Sequence, residues 1–154
     1  MSRSKNNEIY DIGFIPHVEE FDDFKRRVSL PKNCILIDFR KDAKTCLTMI
    51  SKCKHIISSS LHGIIFSESL GKPTAWIKLS DKIVGDTFKY YDYYLGSGRL
   101  KEQIYMTDWR HEIIFNDIKY ITPPVYDYIN LLNSAPFIIS QDTKNKIINW
   151  FKYE

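Results

Sequence analysis

The chain has 154 residues, of which 44% are hydrophobic and 27% charged, so it is long enough for one globular domain with a real core. Its formal net charge of +3 is too small to indicate a nucleic-acid partner. The polar segment at residues 1–8 is unlike a secretory signal, and no apolar run approaches the roughly 18 residues of a membrane span.

The first half of the chain predicts alternating strands and helices. Short apolar runs predict strands at residues 10–15, 34–38, 55–58 and 74–79, and helical spacing predicts helices at 18–28, 43–53 and 61–70. Asp42 is expected to cap the second helix, and Gly71 to end the third. This order predicts an α/β fold with a parallel sheet and right-handed crossovers.

After Ser80 the spacing of apolar residues predicts strands and helices less clearly. Residues 88–94 are densely aromatic, and residues 100–122 predict a helix or an irregular segment with a short strand near 118–121. Pro123 and Pro124 can open a helix at about 125–132, and Asp142 can cap a last helix. We expect a helical C-terminal region at about 100–154 within a single domain of residues 1–154.

The three cysteines do not form a disulfide pattern. Cys46 and Cys53 are seven residues apart on one predicted helix, which separates them by roughly 10 Å along the axis, too far for a bond. Together with Cys34 they are expected to be small apolar core residues in a reducing cytosol.

The segment between the predicted strand at 55–58 and the predicted helix at 61–70 has the strongest functional signal. It consists of Ser58, Ser59 and Ser60, followed shortly by His62 and Gly63. A helix that starts there presents free backbone N–H groups to an anion, and the hydroxyls and imidazole add further groups. The alternative is that Ser60 only caps the helix and His62 is polar surface.

Two other polar groups follow strands of the predicted sheet. His17 follows the first strand and Asp38 ends the second, and ligands of parallel α/β sheets collect at the carboxyl ends of strands. Asp38 fits a ligand contact or a structural turn cap equally well. The turn after the first strand has one glycine, which argues against a dinucleotide site, and no Walker loop or serine-hydrolase elbow is present. The histidines offer no metal pair at helical spacing, so we expect no metal.

The aromatic segment at 88–94 has two interpretations. Its tyrosines can simply cover a half-exposed helix. Alternatively, the rings stack on sugar faces while Lys89 and Arg99 hold a carboxylate or phosphate.

Several motifs of the chain, in their order, resemble the polysaccharide pyruvyl transferase family. The resemblance covers about residues 9–100 and rests on Asp11–His17, Ile37-Asp38, Ser58–Ile65, Gly71–Pro73, Trp76, Lys89–Tyr93 and Ser97–Arg99. Ser60 stands where many members carry arginine, as it does in a subset of exopolysaccharide ketal-pyruvate transferases. Family members have two Rossmann-like lobes arranged as in GT-B glycosyltransferases. The resemblance therefore implies a Rossmann-like second lobe only, as a split subunit, a truncated relative or a domain excerpt.

The resemblance also implies an activity. Phosphoenolpyruvate would donate a pyruvyl group to two hydroxyls of one sugar, forming a cyclic ketal in surface polysaccharide synthesis, with no further cofactor. His62 is the expected general acid, because imidazole titrates near neutral pH. Contacts with the donor are expected from the serine turn, defined as Ser58–Ser60, and from three other residues. Contacts with the acceptor sugar are expected from a second set of residues. The donor set is Ser58, Ser59, Ser60, His17, Lys89 and Arg99, and the acceptor-side candidates are Asp38, Tyr90 and Asp92.

Two other functions stay open. The chain could be the nucleotide-sugar lobe of a glycosyltransferase, or a non-catalytic lobe that acts by binding a partner. Expected partners are a saccharide acceptor, including a lipid-linked one, and either a separate N-terminal lobe or a second copy of the chain. The expected location is the cytoplasm, including the inner face of the membrane.

Overall fold

The computed structural model describes residues 8–85, 87–112, 114–115, 118–124, 132–134, 136 and 138–152. The chain divides into two compact units, residues 7–124, and residues 125–154 together with residues 1–6. Within the described residues, no helix combines the length and the hydropathy needed to cross a membrane. The assignment of residues 1–154 to a single domain stays a prediction.

The larger unit alternates parallel strands with helices. In chain order its elements are β1 (Tyr10–Ile15), α1 (Phe21–Arg27), β2 (Cys34–Leu36), α2 (Ala43–Ser51), β3 (Cys53–Ser58), α3 (Leu61–Ser69), β4 (Thr74–Lys78), α4 (Phe88–Gly96), a 3₁₀ helix (Lys101–Gln103) and β5 (Met106–Asp108). The other unit contains α5 (Gln141–Lys152). The predicted Rossmann-like α/β fold is confirmed.

The strand order places the ends of β1 and β3 side by side. The sheet runs β2-β1-β3-β4-β5, and every neighbouring pair is parallel. The chain therefore adds β2 on one side of β1, crosses back through α2, and then adds β3, β4 and β5 on the other side. In open α/β sheets, ligands bind outside the carboxyl ends of the strands at this reversal point.

The sheet is covered by apolar residues on both faces. Phe14, Phe24 and Trp109 belong to the cluster on the α1 face, and the centroid of the Phe14 ring lies 5.9 Å from that of Phe24 and 6.4 Å from that of Trp109. On the other face, Ile64 of α3 packs with Trp76 and residues of α4. Successive residues of β4 alternate between these faces, as strand geometry requires, so both faces of this inner strand are buried.

Several predicted elements differ from the structure. The first helix begins at Phe21 rather than at residue 18, and the second strand ends at Leu36 rather than at residue 38. Cys53 belongs to β3 rather than to the preceding helix, because it pairs in register with Tyr10 of β1. The strand predicted near 118–121 is reduced to an isolated bridge of Ile121, whereas β5 forms earlier, at Met106–Asp108. Ser140 rather than Asp142 caps α5, since its side chain accepts from the N–H three residues later. Of the helix predicted at 125–132, residues 125–131 lie outside the described residues.

The cysteines provide a test of the core. All three are free, Cys53 is fully buried, and burial raises the pKa of its thiol to about 12. At pH 8 its thiolate fraction is then about one in ten thousand. We expect iodoacetamide at pH 8 to alkylate the half-buried Cys34 first and Cys53 only after denaturation, as read by peptide mass spectrometry. Equal rates for the two thiols in the native protein would contradict this core.

Candidate functional site

Two serines of the turn between β3 and α3 are used to build the turn itself. The Ser58 hydroxyl is fully buried, donates to the Ile15 carbonyl at 2.7 Å and accepts from the Ser60 N–H at 2.9 Å. The Ser60 side chain caps α3 by accepting a long hydrogen bond, 3.5 Å, from the Gly63 N–H. The Ser58 hydroxyl therefore stabilises the turn through hydrogen bonds to the backbone and is not directed at a ligand.

The first turn of α3 carries the groups that can face an anion. The N–H groups of Gly63 and Ile64 bond to the Ser60 side chain and carbonyl. Those of Leu61 and His62 have no acceptor among the described residues. The His62 side chain is exposed there, 6.3 Å from the Phe66 ring between centroids. A helix start of this kind favours negative charge, because its free N–H groups add to the helix dipole.

Gly63 allows α3 to begin close to the ends of β1 and β3. A Cβ atom at this position would overlap with the Ser58 Oγ and lie 2.8 Å from the Ile15 Cγ2. We expect Gly63→Ala to lower the free energy of unfolding by about 1–3 kcal/mol, the usual cost of overpacking, in urea denaturation. Gly96→Ala is the matched control, since nothing lies within 4 Å of its Cβ position. Equal destabilisation by both changes would contradict the close approach.

Ser59 joins the turn after β1 to the turn after β3. Its hydroxyl accepts from the His17 N–H at 3.0 Å and donates to the Glu20 Oε2 at 2.6 Å. The Tyr90 hydroxyl donates to the Ser59 carbonyl at 2.6 Å. These bonds bring His17 and the serine turn together at the reversal point of the sheet, as the sequence predicted.

The hydrogen bonding of the His17 ring leaves Nε2 as the nitrogen that can contact a ligand. The ring is half-buried, and its Nδ1 accepts a hydrogen bond from the Glu19 N–H at 3.4 Å. In the neutral imidazole the proton is then carried by Nε2. His17 can therefore offer an N–H donor to a ligand that lies at the end of β1.

Glu20 was missed as a site residue by the sequence analysis. Acidic residues at positions 19, 20, 22 and 23 are typical of a helix start, which is usually solvated, but Glu20 is only 4% exposed. Besides the Ser59 hydroxyl, its carboxylate accepts from the Ser80 hydroxyl at the end of β4. No local pattern distinguishes this inward acid from its exposed neighbours.

Asp38 lies at the same edge of the sheet but is already paired. Its carboxylate accepts from the Arg40 Nε at 2.9 Å, the Arg40 Nη2 at 2.8 Å and the Arg40 backbone N–H at 3.0 Å. These bonds from Arg40 hold the pKa of Asp38 below its usual value. Arg40 also pairs with Asp22 at 3.0 Å. The geometry favours the structural alternative for Asp38, a cap of the turn after β2.

Arg99 does not lie at this site. Its Nη2 bonds to the Glu68 Oε2 at 2.7 Å and to the Thr122 carbonyl at 3.0 Å. Glu68 is in the last turn of α3, roughly 10 Å along the helix axis from Leu61 at 1.5 Å per residue. The expected contact of Arg99 with the donor stays a prediction; in the structure its guanidinium is paired near the carboxyl end of α3, away from the first turn of that helix.

The three α4 candidates have different environments. Tyr90 is 3% exposed and stacks on Trp76 with 4.5 Å between ring centroids, so its ring is packed inside the protein. Its expected contact with the acceptor sugar stays a prediction. Lys89 is half-buried near the start of α4, with its Nζ 5.5 Å from the Tyr90 ring centroid. Asp92 is exposed on the next turn. Because Tyr90 contacts Ser59, Lys89 stays a candidate cation for the site.

Comparisons with known proteins agree with the resemblance. Residues 2–81, which include β1 to β4, match the family model for polysaccharide pyruvyl transferase. An uncharacterized protein of Acanthamoeba polyphaga mimivirus is 34% identical over 115 residues, covering 71% of this chain and 40% of that protein. This chain thus spans less than half the length of that relative. No solved structure matches this chain. Because the family model covers more than half of the sequence, this chain belongs to the polysaccharide pyruvyl transferase family.

Proposed function

We propose that this chain is a pyruvyl transferase lobe that acts on phosphoenolpyruvate and a sugar in the synthesis of a surface polysaccharide. One observation carries the proposal. The start of α3, with the exposed His62 beside two backbone N–H groups, lies at the reversal point of the sheet and inside the family-matched residues. That combination suits an anionic donor which must also receive a proton.

The donor would be held mainly by backbone groups. The N–H groups of Leu61 and His62 and the positive end of α3 would bind the phosphate or the carboxylate of phosphoenolpyruvate. Lys89, near the start of α4, is the proposed cation. His17 would add its Nε2–H from the end of β1, as a phosphate contact or as a second acid or base.

The proposed reaction balances with these groups. Two hydroxyl oxygens of one sugar residue form bonds to C2 of the enolpyruvyl group, the C2–O bond to phosphate breaks, and the methylene carbon gains a proton to become a methyl group. Of the two hydroxyl protons, one replaces the proton delivered to carbon and the other leaves with phosphate. His62 is the proposed donor of the proton to carbon. Asp38, already bound to Arg40, and Asp92 are the weaker proposals for the acceptor side.

Phosphate release tests the proposal. Phosphoenolpyruvate is incubated with the chain and a panel of free and lipid-linked sugars, both alone and with a protein that supplies the other lobe. We expect phosphate release that depends on the acceptor, together with a new ketal carbon signal in ¹³C NMR. Absence of both in every combination would overturn the proposal. Binding of a nucleotide sugar instead would favour the glycosyltransferase alternative.

A further inference from the structure

Glu20 is a buried carboxylate that the proposed reaction does not use. Its Oε2 accepts from the Ser59 hydroxyl at 2.6 Å, and its Oε1 accepts from the Ser80 hydroxyl. Burying a carboxylate is unfavourable unless it is hydrogen-bonded, and hydrogen bonds to a charged acceptor are about twice as strong as neutral ones. The carboxylate therefore ties the start of α1 to the ends of β3 and β4.

The Ser59 hydroxyl is the middle of a chain of hydrogen bonds. A hydroxyl has a single hydrogen, and Glu20 receives it, so the lone pairs of the oxygen are left for the His17 N–H at 3.0 Å. The backbone N–H of Glu20 also donates to the His17 carbonyl at 2.9 Å. Both backbone polar groups of His17 are thus fixed through Glu20, one directly and one through Ser59.

We propose that Glu20 is a positioning residue of the candidate site, whose carboxylate orients the Ser59 hydroxyl and thereby holds the His17 backbone beside the turn between β3 and α3. Its effect on anion binding rests on the proposed function, because it requires that the anion contacts His17. Its effect on the His17 backbone does not rest on the proposed function, so the positioning role of Glu20 and the proposed function can be tested separately.

The replacement Glu20→Gln tests the acceptor with little change of shape. A glutamine side chain has one acceptor oxygen and one NH₂ group, whereas both serine hydroxyls donate to Glu20. One of the hydroxyls must then turn its hydrogen away. Ser59→Ala removes the link to His17 directly. Ser80→Ala is the matched control, because it removes a hydroxyl from the same carboxylate without touching His17.

The experiment uses the ¹⁵N-labelled chain with two readouts. Hydrogen exchange reports the His17 amide, and titration with inorganic phosphate reports affinity through the amides of Leu61 and His62. We expect Glu20→Gln and Ser59→Ala each to speed exchange at His17 and to weaken phosphate binding, both by about tenfold. The double variant should be no worse than Ser59→Ala, since the two residues act along one path. Ser80→Ala should stay within about twofold of the parent, because its hydroxyl lies off that path.

The possible results separate the two proposals. A folded Glu20→Gln protein whose His17 amide keeps the parent's protection would overturn the positioning role. So would Ser80→Ala if it had the same effect as Ser59→Ala, because the residues would then act only through general stability. If the parent binds neither phosphate nor phosphoenolpyruvate, the proposed function fails, while exchange at His17 still decides the role of Glu20.

Discussion

Replacing Arg99 with alanine is expected to lower the free energy of unfolding by about 3–5 kcal/mol, because it leaves a buried carboxylate without its cation. Arg99 and Glu68 are 8% and 5% exposed, and their charged atoms lie 2.7 Å apart. Glu68 also accepts from the Thr74 hydroxyl at 2.8 Å and the Tyr93 hydroxyl at 2.7 Å. The pair therefore joins the end of α3 to β4 and α4.

Urea denaturation measures this effect, and an exposed ion pair provides its control. Arg26 and Asp23 pair at 3.3 Å with side chains 76% and 46% exposed, so Arg26→Ala should cost at most about 1 kcal/mol. A loss below 1 kcal/mol in Arg99→Ala would contradict the buried pair. If the folded variant lost phosphate affinity as well, the placement of Arg99 away from the donor would be wrong.

Replacing His62 with alanine is expected to reduce acceptor-dependent phosphate release from phosphoenolpyruvate by about 10²–10⁴-fold, the usual contribution of a general acid. The side chain is exposed, so unfolding free energy should change by no more than about 0.5 kcal/mol. A large loss of rate at constant stability would identify a chemical role. The measurement is steady-state phosphate release under conditions in which the parent is active.

His111→Ala is the control for this prediction. His111 is also exposed, but it follows β5, two strands away from β3 in the sheet. Its replacement should leave the rate within about twofold, as expected for a distant surface site. Parent-like turnover in His62→Ala would remove His62 from the mechanism. An equal loss in both variants would show that the rate responds to surface charge rather than to this imidazole.

Local patterns were sufficient to predict the elements around the site. The apolar runs of the inner strands and the change to helical spacing at Leu61 are properties of neighbouring residues, and the structure confirms the α/β order. β5 was not predicted because it has three residues, two of them exposed, and is defined by its pairing with β4. Its existence depends on a partner strand that no local pattern contains.

The polar contacts of the site could not be predicted because they join distant parts of the chain. Glu20 reaches Ser59 across 39 residues, and Arg99 reaches Glu68 across 31. In the sequence, Glu20 looks like one more acid at a helix start, and Arg99 looks like a free cation after an aromatic helix. Only the packing of α1 and α4 against opposite faces of the sheet shows which charges are satisfied inside the protein.

A crystal structure with phosphoenolpyruvate tests the anion site most directly. We expect a phosphate or carboxylate oxygen within about 3 Å of the backbone nitrogens of Leu61 and His62, with the His62 ring facing the methylene carbon. The serine hydroxyls of the turn should keep their internal partners. An empty turn at a saturating concentration, or a donor bound elsewhere with the His62 ring turned away, would contradict the account.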